Sequence, residues 1–271
     1  MPELPEITIL SGQMKKELPG RVLTAIDVLQ PKCLNMPEDD FRAALVDATI
    51  QDVGHRGKWI TTRTDRGWLL LNLGMGGEIW LVRRDALPEK HRLVFHLDGD
   101  DSLSVNFWWF GYAHYAPIDG LDEHEMIARI GPSALDLSAD DLRAMFAGRR
   151  GRLKTFLLDQ SRMAGIGNAY VHDILFLARL HPLRAVNTLT DAEIDALARA
   201  IRDGLQASIA RGGASYETDL YGQKGGFTLE NDVLIGYKEG QPCPNCGTPI
   251  VKIKTGSTSS FICPTCQPEA G

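Results

Sequence analysis

The sequence predicts an α+β protein of 271 residues, built in three successive parts. Three observations carry this. Residues 1–130 break into short apolar or alternating runs, several separated by Gly or Asp turns, as strands do. Residues 138–210 repeat their apolar positions at helical spacing. The end of the chain holds two Cys-x2-Cys pairs on either side of a strand-like stretch.

The elements follow in order. Residues 6–18 suggest an early amphipathic helix. Strands are expected at Val22–Leu29, Lys58–Arg63, Trp68–Asn72, Glu78–Val82, Leu93–Leu97 and Leu103–Phe107. An acidic, loop-like stretch at Gly120–Ile130 leads to a boundary near Gly131-Pro132. Ser138 caps a helix that runs to about Phe146, with Asp140 and Asp141 in its first turn. Short helices are expected at Thr155–Asp159 and Ala169–Ala178. The longest runs over Thr190–Arg211, capped by Thr190 and stopped by Gly212-Gly213. Residues 212–240 are rich in glycine and aromatics and read as a loop.

Composition narrows the class. With 44% hydrophobic and 24% charged residues this is an ordinary globular chain of one large or two ordinary domains. No apolar run is long enough to span a membrane, and no secretory signal is visible, so a cytoplasmic location is expected. The net charge of −6 excludes indiscriminate coating of nucleic acid. Charge is nevertheless uneven. Residues 1–148 carry 15 basic and 23 acidic side chains, and residues 149–271 carry 14 and 12. Residues 53–84 form a basic island of net +4 and residues 149–184 one of net +5. Such faces can hold phosphates, although scattered surface charge would look the same.

Cys243-Pro-Asn-Cys246 and Cys263-Pro-Thr-Cys266 stand sixteen residues apart. Each pair makes a tight knuckle with two thiolates, and four thiolates complete the tetrahedral shell that zinc prefers. Cys243, Cys246, Cys263 and Cys266 are therefore expected to hold one structural Zn2+, with Val251–Phe261 as the hairpin between knuckles. No open coordination position is evident, so the ion should contribute folding energy. Cys33 is isolated and reads as a buried thiol without a role.

The chain starts Met1-Pro2-Glu3-Leu4-Pro5-Glu6. Without Met1, Pro2 would present a secondary amine able to attack an electrophilic carbon and form an iminium, and Glu3 could move the protons. Taken alone, the same residues fit a common second residue and a solvated terminal charge. Gly165-Ile-Gly167-Asn168 precedes a helix, where backbone N–H groups can approach a phosphate. Next to Lys154 and Arg162 it suggests a helix-turn-helix-type clamp; a plain interhelical turn is the alternative.

Further matches lie between these motifs. They are Lys58 before a strand, Leu73-Gly74-Met75-Gly76-Gly77, Pro88-Glu89-Lys90-His91, Phe110-Gly111 and Ile130-Gly131-Pro132. Leu153-Lys154-Thr155, Leu158-Asp159-Gln160, Gly165–Tyr170, His181-Pro182 and the hairpin ending Cys266-Gln267 follow. In this order, over the whole chain, they resemble the formamidopyrimidine-DNA glycosylase / endonuclease VIII family.

The resemblance implies an N-terminal β-sandwich over 1–131, a helix-two-turns-helix domain over 132–236 and a zinc-finger β-hairpin over 237–271. It implies a monomer that binds damaged duplex DNA in a cleft between its halves and flips a nucleotide out. It implies a glycosylase that is also an AP lyase, with Pro2 attacking the sugar C1′ and Glu3 as proton donor and acceptor. Glu6 is then a second acid supporting the site. Lys58 and Asn168 hold phosphates, Lys154 lies near the lesion, and His91 is counted with the DNA contacts. Met75 is the wedge that fills the hole left by the extruded base.

Three departures point to altered recognition. The family commonly has Asp-Pro-Arg-Arg-Phe-Gly at its second wedge loop, and this chain has Asn106-Phe107-Trp108-Trp109-Phe110-Gly111. Trp108, Trp109 and Phe110 can stack on bases, but neither tryptophan replaces arginine's paired donors or charge. The family's finger arginine, five residues before the third cysteine, is Thr258 here. The loop over 214–227 is short, and its Tyr216, Tyr221 and Phe227 could stack on a base or pack. Opposite-base choice and oxidised-purine recognition are therefore expected to differ. The alternative is a non-excising binder of damaged, distorted or single-stranded DNA. A zinc-bearing protein-interaction module is the distant third reading.

Overall fold

The computed structural model describes residues 1–108 and 110–269. They form two compact units. The first is Met1–Arg129 with Arg211–Gly226, and the second is Ile130–Ala210 with the chain from Phe227 on.

The first unit holds α1 (Leu4–Glu17), β1 (Leu23–Val28), α2 (Glu38–Leu45), β2 (Ile50–Arg56), β3 (Trp59–Thr64), β4 (Trp68–Asn72), β5 (Glu78–Arg83), β6 (Leu93–Leu97), β7 (Asp101–Asn106) and β8 (Tyr112–Ala116). Two antiparallel sheets result, in the orders β1-β6-β7-β5 and β2-β3-β4-β8. Alternation along the strands sends one face of each sheet into a shared core. Ile26, Phe95, Leu103 and Ile79 come from one sheet, and Val53, Ile60, Leu69, Leu71 and Ala113 from the other. This is a β-sandwich. Ile7, Leu10 and Met14 of α1, spaced by three and four residues, join the same core. Cys33 is buried there too, and burial pushes its thiol up to about 11.

α1 begins directly at Leu4 because Pro5 suits a first helical turn and Glu6 Oε2 accepts from the Glu3 backbone N–H at 2.9 Å. The first three residues are thereby fixed to a helix N-terminus, with Pro2 and Glu3 buried.

The second unit holds α3 (Ala139–Phe146), α4 (Leu153–Leu158), α5 (Val171–Leu177), α6 (Asp191–Ala210), β9 (Val251–Thr255) and β10 (Thr258–Ile262). The α3 start is a capping box between Ser138 and Asp141. α5 packs on α6, where Gly204 lets Ile174 approach: a Cβ there would lie 3.2 Å from it. Gln160 secures the turn between α4 and α5. Its amide accepts from Gly165 N at 2.9 Å and donates to Ile166 O at 2.8 Å. β9 and β10 pair as an antiparallel hairpin.

Three of these elements, α2, β2 and β8, are not expected from the sequence. Among the described residues no helix is long and apolar enough to cross a membrane.

Candidate active site and nucleic-acid interface

The chain start is enclosed by carboxyl groups. Glu3 and Glu6 are both buried. Glu6 works as a clamp: Oε2 holds Glu3 N, and Oε1 accepts from Ala214 N at 3.1 Å. Gly213, at φ +77 to +88 with Gly212, lets that turn reach Glu6; a Cβ on Gly213 would lie 3.4 Å from Glu6 Cγ. The segment that follows is tied to the sandwich. Thr218 Oγ1 accepts from Trp80 Nε1 at 2.9 Å, and Gln13 bonds both Asp219 and Leu220.

Lys58 lies at the β2–β3 turn. Burial pulls its ammonium below the usual lysine range, and the charges of Glu3 and Glu6 pull it back up. Glu3, Glu6 and Lys58 thus form one electrostatic cluster at the head of α1, where Pro2 is also buried. A group missed in the sequence joins them. Glu217 is 9% exposed, and its Oε1 lies 3.6 Å from the chain-terminal nitrogen.

The Met75 and Trp108 loops meet. Trp108 N donates to Met75 O at 3.1 Å. Gly74 has φ +53, and a Cβ there would lie 1.4 Å from Phe110 O, so only glycine fits. Met75, Trp108 and Phe110 are exposed, Trp108 at 71%. Trp109 lies outside the described residues. His91, whose Nδ1 pairs with Pro88 O at 2.8 Å, lines a groove of about 480 Å3 with Lys90, Arg92 and Trp108. Arg92, outside every motif of the sequence, is a further basic side chain here.

In the second unit, Asn168, His172, Tyr237, Lys252, Thr258 and Phe261 line a cavity of about 290 Å3. Asn168 Oδ1 is buried without a hydrogen-bond partner. Lys154 is not at that surface. It is 2% exposed and donates to Thr255 Oγ1, Thr258 Oγ1 and Ser259 O. Phe227 packs on Tyr170 at 6.0 Å, whereas Tyr216 and Tyr221 are exposed. Tyr221 donates to Glu17 at 2.7 Å.

The four cysteine sulfurs lie within 4.8 Å of one another. Sulfur–sulfur separations of 3.9 Å (Cys243–Cys266), 3.4 Å (Cys246–Cys263) and 3.6 Å (Cys246–Cys266) are far too long for disulfides. They fit the edges, about 3.8 Å, of a tetrahedron with Zn–S bonds of about 2.3 Å. Gln267 braces this centre, accepting from Cys263 N and donating to Leu180 O. Its ligands Cys243 and Cys263 are buried with Phe176, Ile235 and Ile250.

Comparison with known proteins settles the family. Residues 1–107 match the formamidopyrimidine-DNA glycosylase N-terminal domain, 130–219 its H2TH domain, and 240–268 the zinc finger found in FPG and IleRS. The chain belongs to the formamidopyrimidine-DNA glycosylase family. The formamidopyrimidine-DNA glycosylase of Pelotomaculum thermopropionicum is 35% identical over 98% of this chain and 99% of that protein. That of Gluconobacter oxydans is 36% identical over 98% and 100%. Lactococcus lactis Fpg in complex with abasic-site DNA superposes with TM-score 0.89 at 28% identity, covering 98% of this chain and all of that one. The same enzyme with oxidised-pyrimidine DNA gives TM-score 0.88, also at 28%. The family places the cysteine cluster as a zinc finger and DNA as the partner.

Proposed function

We propose that this member of the glycosylase family excises a damaged base and then cleaves the strand as an AP lyase, through a Schiff base on Pro2. The observation that carries it is the chain start. Pro2 is buried at the head of α1, next to Glu3, whose charge with that of Glu6 acts on Lys58. Loss of Met1 gives Pro2 a secondary amine with a reference pKa near 8, so part of it is nucleophilic at neutral pH. Attack at C1′ displaces the base; Glu3 protonates the opening sugar and later removes the proton whose loss breaks the strand. Lys58 and Asn168 hold phosphates, Met75 fills the hole in the duplex, and the work is done on chromosomal DNA in the cytoplasm.

Lesion and opposite-base preference are altered in this reading. Trp108 offers a stacking face in place of paired donors, and Thr258 is neutral. Exposed Trp108 and the net charge of −6 also favour a second reading, a binder that recognises distorted DNA without excision. Borohydride decides. Met1-free protein incubated with abasic, oxidised-purine and oxidised-pyrimidine duplexes should form a covalent adduct with at least the first. Selective binding of damaged duplex with no adduct on any of the three would favour the binder.

A further inference from the structure

We propose that Glu217 is the general acid that protonates the damaged base as it leaves C1′, a role resting on the Schiff-base reading above. The position is the first argument. Glu217 Oε1 is 3.6 Å from the chain-terminal nitrogen. Loss of Met1 moves that nitrogen one residue along, a step of at most about 3.6 Å. An amine poised to attack stands about 3–3.5 Å from C1′, and the departing base nitrogen is bonded to that same carbon. The carboxyl is therefore within about 7 Å of the new amine, close enough to reach the leaving group directly or through one water.

The carboxyl is also held still. Glu217 N donates to Ala214 O at 3.0 Å, and Gly225 N donates to Glu217 O at 3.3 Å. Ala214 is clamped by Glu6 and Thr218 by Trp80, one on each side. Beside it lies a void of about 10 Å3 lined by Glu6, Ile9, Gly212, Thr218 and Asp219, the room of one water through which a proton can return.

The charges around it suit the task. Burial is the main influence and pushes the carboxyl up to about 7; the terminal ammonium pulls it down, and Glu6 and Glu3 push it further up. Lys58 faces Glu3 and Glu6, and the segment itself adds Arg211, Asp219 and Lys224. Near neutral pH a sizeable fraction of Glu217 is thus a neutral acid, the form an acid catalyst needs.

The step balances. The amine lone pair forms the N–C1′ bond, the C1′–base bond breaks, and its electron pair stays on the base nitrogen. That nitrogen takes the proton from Glu217. The amine nitrogen becomes cationic as Glu217 becomes anionic, so the new ion pair stabilises the carboxylate at the moment the base needs its proton. Solvent then reprotonates Glu217.

An abasic site has no base to expel, and this separates the role from a structural one. Met1-free wild type, Glu217→Gln and Glu217→Asp are given duplexes with formamidopyrimidine-guanine, an oxidised pyrimidine or an abasic site. For Glu217→Gln the ratio of base release to abasic-site trapping should fall about 100-fold. The alkaline decline of wild-type base release should vanish with it, and Glu217→Asp should recover part of the ratio. An unchanged ratio, or release and trapping falling together, would overturn the role of Glu217. So would wild type that traps abasic DNA but releases a base from neither lesion. Wild type that traps no abasic DNA overturns instead the Schiff-base reading beneath it.

Discussion

The Lys154 ammonium donates a 3.1 Å hydrogen bond to the hydroxyl of Thr258, at the turn of the β9–β10 hairpin. Lys154 is 2% exposed, and its other bonds go to Thr255 and to Ser259 O at 2.6 Å. This lysine, expected near the lesion, holds the β9–β10 turn. An arginine at 258 would bring a second cation to the same place.

The buried ammonium has a pH signature. Burial lowers the Lys154 pKa from 10.5 to about 8. Between these values the unfolded chain binds more protons than the folded one, so stability rises with pH across that window. Below pH 8 the full penalty is present, of order 1–3 kcal/mol. Chemical denaturation of wild type and Lys154→Met from pH 7.5 to 10.5 should show wild type gaining on the variant. Parallel curves would contradict it.

The second wedge loop should bind by stacking. Trp108→Ala removes an exposed indole at the Met75 loop and should weaken binding to abasic duplex by about 1–3 kcal/mol, the usual scale for an aromatic on a base. Trp108→Arg should restore binding at low salt and steepen the log K against log salt slope by about 0.9, one phosphate contact. Fluorescence anisotropy across a salt series reads both. A Trp108→Ala protein that binds as wild type would place the indole outside the interface.

A histidine pair should contribute to acid sensitivity. His114 Nδ1 and His124 Nε2 are 3.0 Å apart, packed with Trp59 and Tyr112. Burial, then the charge of His124, lowers His114 from 6.5 to about 4. Between pH 6.5 and 4 the unfolded chain again binds more protons, so stability is full above 6.5 and falls towards 4. The loss should be of order 2–3 kcal/mol and should shrink in His114→Phe, which keeps a ring but cannot titrate. Urea midpoints at pH 4.5, 5.5 and 6.5 provide the check.

Much of this was legible because local chemistry and tertiary packing agree. The β4 and β6 runs are apolar on successive residues, and Ser138 with Asp141 marks the start of α3 unaided. The cysteine spacing was enough to foresee the metal centre. β2 was not legible, since Gln51, Asp52, His55 and Arg56 leave only Ile50 and Val53 as core positions. β8 hides behind His114, which is buried against Trp59, Tyr112 and His124. α2 follows Pro37 with three acids in its first turn, a start signal that went unused. Glu217 carried no local signal. It sits among glycines and aromatics, and only the fold-back onto α1, made by contacts more than 200 residues apart, turns it into part of the terminal site.

The central claim is that chemistry starts at Pro2. Met1-free protein should be reduced with borohydride on an abasic-site duplex, digested, and the modified peptide sequenced by mass spectrometry. The account predicts the sugar remnant on the Pro2 nitrogen, and loss of the adduct in protein that retains Met1. An adduct on Lys58 or another lysine, or no adduct with intact binding, would contradict it.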